Sequence, residues 1–140
     1  MAPRTVQASV LHGGTADGEA LVLVEPLSLW GGLDPETGRL VDAHHPQRGV
    51  GLAGRVLLMP AGRGSSSSSS VLAEAVRAGT APAAILLGEP DLILAIGAEV
   101  ASALYARDLP VLVLPPGAAD GVTDGQRVQV REGGTLVFGA

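Results

Sequence analysis

At 140 residues the chain suits one domain with a modest core, and a hydrophobic content of 46% excludes disorder of the whole. Its formal charge is −5 and all nine basic residues are arginine, which argues against nucleic acid as a partner, since a phosphate-binding face needs a basic patch. With no cysteine, the chain has neither disulfides nor thiolate metal ligands of its own.

The opening segment, Thr5 to Leu11, alternates weakly and reads as a strand. "HGGTADG" (12–18) is a turn by composition, and "EALVLVEPL" (19–27) has the Leu- and Val-rich character of a buried strand closed by Pro26. The segment from Ser28 to Gly49 is long and polar; it holds the single Trp and two of the three His. Loops of that length in a small domain are often functional. "GRVLLMP" (54–60) is a strand, and a helix follows over Ser67–Ala78, with Val71, Leu72, Ala75 and Val76 on its apolar face and Gly79 as its stop.

"APAAILLG" (81–88) is the next strand. "DLILAIGAEVASALYARD" (91–108) has helical length; Leu92, Leu94, Ala95, Ala98, Ala101, Ala103 and Leu104 make it mostly buried, against a central Gly97. "LPVLVLP" (109–115) is another strand, and "GQRVQVREGGTLVFG" (125–139) reads as a closing hairpin turning at "EGG". Strand, helix, strand, helix, strand in the middle implies parallel neighbours. The reading is therefore one α/β domain, 1–140, with a layered or barrel-like β unit wrapped on a β-α-β-α-β core. No apolar run approaches the ~20 residues that cross a bilayer, and "MAPRTVQASV" lacks the apolar stretch of a signal peptide. The expectation is a soluble, cytoplasmic protein with no membrane partner.

The feature that asks for an explanation is "GRGSSSSSSV" (62–71). Six serines in a row ordinarily make a flexible linker. Here a strand ends on one side and an amphipathic helix begins at once on the other. Gly62 and Gly64 permit backbone angles closed to other residues and a close ligand approach. Ser66, Ser67 and Ser68 are placed to cap the helix or to bind anionic groups, and the free amides of its first turn, with the positive end of its dipole, make an anion site. Arg63 adds a fork suited to carboxylate or phosphate. The loop is not a Walker A motif, for it lacks Gly-Lys-Ser/Thr, nor a Gly-x-Ser-x-Gly elbow. His12, His44 and His45 read as loop residues.

Three stretches together carry a family likeness: "EPLSLWGGLDPETGRLVDAHHPQRG", "GRGSSSSSSVLAEAVRAGTAPAAILLGEPDLILAIGAEVASALY" and "LPVLVL". They resemble the swivel domain, or small subunit, of the aconitase X family, from about Gly18 to Val130. The resemblance implies a swivelling β/β/α domain that closes over a larger subunit carrying an iron–sulfur cluster, with no cofactor bound by this chain. It implies a hydro-lyase acting on a small carboxylate: cis-3-hydroxy-L-proline or, alternatively, mevalonate 5-phosphate. In the wider superfamily the swivel loop supplies a serine general base, which matches Ser65 here. Gly62, Arg63, Gly64, Ser66 and Ser67 would bind substrate, and Trp30, Gly31 and Gly32 would line the mouth. Asp34, His45 and Arg48 would meet the partner or the substrate. Aconitase proper has an arginine directly after its serine pair, where this chain has Ser67; that role would pass to Arg63 or to the large subunit. On this reading the chain alone is inactive. Two readings of other classes stand beside it: a non-catalytic anion-binding module, and a phosphohistidine carrier using His12, His44 or His45.

Overall fold

The computed structural model describes residues 3–139, so the ends of the expected 1–140 domain, residues 1, 2 and 140, lie outside it. In chain order the strands and helices are β1 (Arg4–Gln7), β2 (Ser9–His12), β3 (Ala16–Val22), β4 (Leu33–Asp34), β5 (Arg39–Leu40), β6 (Val56–Met59), α1 (Ser68–Ala78), β7 (Ala84–Leu87), α2 (Leu92–Tyr105), β8 (Val111–Val113), β9 (Arg127–Val130) and β10 (Thr135–Phe138). Eight strands form one sheet in the order β1-β10-β9-β3-β6-β7-β8-β2, and β4 and β5 form a small separate ribbon. The strands β3, β6, β7 and β8 are mutually parallel; the other pairings in the large sheet are antiparallel.

The two ends of the large sheet, β1 and β2, are consecutive in sequence and separated by Ala8 alone. The sheet therefore curls into a nearly closed barrel. The expected single strand from Thr5 to Leu11 is in fact two. Its first half pairs with β10 and its second with β8, and the Ala8 amide extends the β1–β10 register by one residue, donating to the Gly134 carbonyl at 2.9 Å before the chain changes partner. β1 and β2 do not pair with each other; each half finds a partner far away in sequence. The expected turn at 12–18 is also shorter: Ala16–Glu19 belong to β3 and pair with β9, while Ala20–Val22 pair with β6. One strand thus serves both the antiparallel and the parallel half. Gly18 sits at the change of partner, where a Cβ would lie 2.8 Å from the Gly54 carbonyl.

β6 and β7 are buried at all four positions each, as expected of parallel strands covered on both faces. Leu57, Ile85 and Leu87 point to the helices and pack with Leu72, Ala75 and Leu94. Leu58 and Leu86 point into the barrel with Val128, Leu136 and Phe138, the chain's one phenylalanine. The closing hairpin alternates as read, with Val128 and Val130 inward and Arg127 and Gln129 outward.

The helix α1 buries Leu72, Ala75 and Val76, and Gly79 ends it at φ 78°. In α2 the buried face is Leu94, Gly97, Ala98 and Ala101. Leu92, Ala103 and Leu104, read as buried, are exposed, because the helix is covered on one side only. Gly97 permits α1 to cross this helix closely. A Cβ there would lie 2.8 Å from the Ser69 carbonyl and 3.2 Å from the Leu72 Cβ.

Candidate active site

The serine loop leaves the C-terminal end of β6, the edge of a parallel sheet where ligands of open α/β folds bind. Gly62 bridges in parallel to Leu27, and the Arg63 amide donates to the Leu27 carbonyl at 3.2 Å. Ser65 and Ser66 then form a tight turn, in which the Ser65 carbonyl accepts the Ser68 amide at 2.9 Å and the Ser66 carbonyl accepts the Ser69 amide at 3.3 Å. Among the described residues, the amides from Gly64 to Ser67 donate to no protein acceptor. They are four free donors at the positive end of an eleven-residue helix. Ser65 is half-buried among them; Arg63, Gly64, Ser66 and Ser67 are exposed.

The structure revises several roles. No serine caps α1 through its side chain: Ser67, at the cap position, has helical angles (φ −67°, ψ −16°) and makes no side-chain bond to the helix amides. A hydroxyl caps from extended backbone, and this backbone is already coiled. Ser68, read as a cap or an anion ligand, is instead 3% exposed. Its Oγ accepts the Trp30 amide at 3.1 Å and lies 3.4 Å from the Ser28 Oγ. Neither Gly62 nor Gly64 adopts positive φ. Gly62 is required by a neighbour and not by a ligand, since a Cβ there would lie 2.1 Å from the Asp91 Oδ2. Asp91 in turn caps α2, its Oδ1 accepting the Ile93 and Leu94 amides at 3.0 and 3.1 Å.

Of Trp30, Gly31 and Gly32, Trp30 meets the serine helix, its backbone amide donating to the Ser68 Oγ, and the residue is 61% exposed. Gly31 has φ 76° and open space around it. Gly32 is buried in the turn, with room for no Cβ: one would lie 2.1 Å from the Ser28 carbonyl. Asp34 is elsewhere. Its carboxylate accepts the Glu36 amide at 2.9 Å in a hairpin that packs on Thr80, beyond the far end of α1, through the 2.6 Å bond from Thr80 Oγ1 to the Pro35 carbonyl. That is ~16 Å from the serine end by helical rise. Arg48 and His44 are exposed.

His45 is buried and occupied: its Nδ1 accepts the Gln47 amide at 3.0 Å, so the ring proton sits on Nε2, which donates to the Glu25 carbonyl at 3.2 Å. His12 lies between two carboxylates, Nδ1 3.0 Å from Glu99 and Nε2 3.3 Å from Asp108, and ties β2 to α2. Hydrogen bonds from Ser102 and then His12 hold the Asp108 carboxyl below its usual range. Both ring nitrogens of His12 thus face carboxylates.

Reading by composition missed Glu25 and Asp91, and missed that Ser68 turns inward to the Trp30 amide. For Ser68 a signal existed, since 68, 72, 75 and 76 share the inward face of a helix. A cavity of about 330 Å³ opens at the same end of the sheet, lined by Val22, Leu58, Leu86, Leu114 and Asp120 among others, and it includes no residue of the serine run.

An eight-stranded, nearly closed sheet with two helices on its parallel half, and a serine loop entering the first of them, define an α/β domain of barrel-like form. Residues 5–138 match the family described as the aconitase X swivel domain, and the chain belongs to it. The match is longer than the 18–130 span carried by the motifs. The crystal structure of Thermococcus kodakaraensis aconitase X (holo-form) superposes with a TM-score of 0.84 at 32% identity, covering 96% of this chain and 98% of that one. The cis-3-hydroxy-L-proline dehydratase of Pseudomonas aeruginosa is 52% identical over 112 residues, 80% of this chain but 18% of that protein. The phosphomevalonate dehydratase small subunit of Thermococcus gammatolerans is 42% identical over 105 residues, 75% of this chain and 80% of that one. The chain thus spans less than a fifth of one such relative and most of the other. Among the described residues no helix is long and apolar enough to cross a membrane.

Proposed function

We propose that this chain is the swivelling small subunit of an aconitase X-type hydro-lyase, with Ser65 as the general base and cis-3-hydroxy-L-proline as the substrate. The observation that carries the reading is the half-buried Ser65 set among four unengaged amides at the entrance of α1, with Arg63 two residues before it. Loss of water across a carbon–carbon bond requires removal of the proton beside the carboxylate while the hydroxyl leaves from the next carbon. A serine hydroxyl removes such a proton only if its anion is stabilised, and helix-terminus amides with an adjacent cation provide that. Arg63 and the amides after Ser65 would hold the substrate carboxylate and the charge that develops on it.

This chain's residues do not fit an iron–sulfur cluster. It has no cysteine, and no group of three or more His, Asp or Glu among the described residues could hold a metal ion. The cluster implied by the family would sit on a larger partner, and activation of the leaving hydroxyl belongs to that partner. The 52% identity to a hydroxyproline dehydratase supports the substrate; the length match to a free-standing phosphomevalonate dehydratase small subunit favours mevalonate 5-phosphate as the second reading.

The test is Ser65→Ala in the assembled two-chain enzyme. Positioned proton transfer contributes about 10²–10⁴-fold, so turnover should fall by at least about a hundredfold while the chains still co-purify. Near-normal turnover would remove Ser65 as the base, and robust activity of this chain alone would remove the shared site.

A further inference from the structure

The "HHPQRG" motif has no chemical role in the mechanism above, yet two of its side chains, His45 and Gln47, are committed to one place. His45 Nε2 holds the Glu25 carbonyl. Gln47 Oε1 accepts the Val24 amide at 2.8 Å, and Gln47 Nε2 donates to the Val22 carbonyl at 2.9 Å. Three side-chain bonds thus fix residues 22–25 where the chain leaves β3. What they position is the Glu25 side chain, whose Oε1 lies 3.8 Å from Arg63 Nη2 at the start of the serine loop.

That distance is beyond a hydrogen bond. The contrast within the same molecule is Arg77, which makes three contacts of 2.5–3.1 Å to Glu74 and has its guanidinium edge filled. Arg63 and Glu25 are adjacent but unspent, and their side chains are 57% and 48% exposed. Their backbones are fixed, Arg63 by Leu27 and Glu25 by His45, while their charged ends are free to turn to a ligand. A cation and an anion held side by side match a ligand that carries a carboxylate and an ammonium on neighbouring atoms. They do not match a phosphorylated hydroxy acid, whose negative charges would face Glu25. Asp91, packed on Gly62, adds a further negative charge at the same loop.

We infer that Glu25 is a specificity-determining residue that binds the ammonium of an α-amino acid substrate whose carboxylate is taken by Arg63. The inference rests on the hydro-lyase reading of the same site. It selects an amino acid zwitterion over a phosphorylated hydroxy acid, and it makes "HHPQ" the device that sets Glu25 in place.

The experiment is steady-state kinetics of the assembled enzyme on cis-3-hydroxy-L-proline, on its tetrahydrofuran analogue with oxygen in place of the ring nitrogen, and on mevalonate 5-phosphate. A hydrogen bond between charged groups is strong enough that Glu25→Gln should raise KM for hydroxyproline about tenfold or more, with kcat within about twofold. KM for the tetrahydrofuran analogue should stay unchanged, and Glu25→Asp should recover most of the affinity for hydroxyproline. An unchanged KM for hydroxyproline, an equal rise for both ring compounds, or a preference of the unmodified enzyme for mevalonate 5-phosphate would overturn the inference and leave the hydro-lyase reading standing. Turnover of none of the three would overturn both.

Discussion

The serine run contains one residue whose loss should be felt by the fold, and it is Ser68. Its Oγ is the acceptor for the Trp30 amide at 3.1 Å and the neighbour of the Ser28 hydroxyl at 3.4 Å, in a position 3% exposed. Ser68→Ala removes the acceptor and leaves the part-buried Trp30 amide without a partner. An unsatisfied buried donor costs about 1–3 kcal/mol. For a domain of this size that is a fall in Tm of roughly 4–10 °C. Ser67→Ala is the control: the residue is exposed and its hydroxyl makes no cap bond, so the change should stay within about 0.5 kcal/mol. Both are read by urea and thermal unfolding followed through Trp30, the chain's single tryptophan, which reports the affected turn directly. Ser68→Ala should also change the Trp30 emission of the folded state. Equal destabilisation by the two substitutions would refute the argument, since it would mean that the run acts as a set of equivalent caps.

Two further outcomes follow from the same loop and from α2. Gly62→Ala should destabilise by displacing Asp91 from its cap, which is worth about 1 kcal/mol. With Asp91→Ala already present the same change should cost less, and a double-mutant cycle by urea unfolding should show that non-additivity. Asp108 predicts a pH dependence. Its folded carboxyl holds its proton less tightly than the unfolded one, whose pKa is about 3.9. Its contribution is therefore complete above that value and is lost as pH falls through the folded one. Stability profiles measured from pH 6 downwards should be flatter below about pH 4 in Asp108→Asn than in the unmodified chain.

Local pattern made much of this fold legible. The apolar runs at β6, β7 and β8, the 3.6-residue spacing of α1, its glycine stop and the alternation of the last hairpin are all properties of neighbours in sequence. The N-terminal strand was misjudged because nothing local says that Ala8 lies between two ladders. Leu92, Ala103 and Leu104 were misjudged because apolar content does not say how many sides of a helix are covered. In the site, the strand–serine–helix junction with its free helix-entrance amides was visible. The partners of its side chains were not, because Ser68 with Trp30, Gly62 with Asp91 and Arg63 with Glu25 are each separated by about thirty residues or more.

The sequence by itself determined where the chain stiffens and turns, that the core would be aliphatic, that the chain offers no thiolate ligand, and which motifs mark the family. Those follow from composition and from periodicity, which act over a few residues. Only the tertiary structure decided that six chemically identical serines are unequal. The turn at Ser65–Ser66 leaves one half-buried beside free amides, and the register of α1 on Leu72 drives another inward onto the Trp30 turn. Identical side chains differ only through what is packed against them.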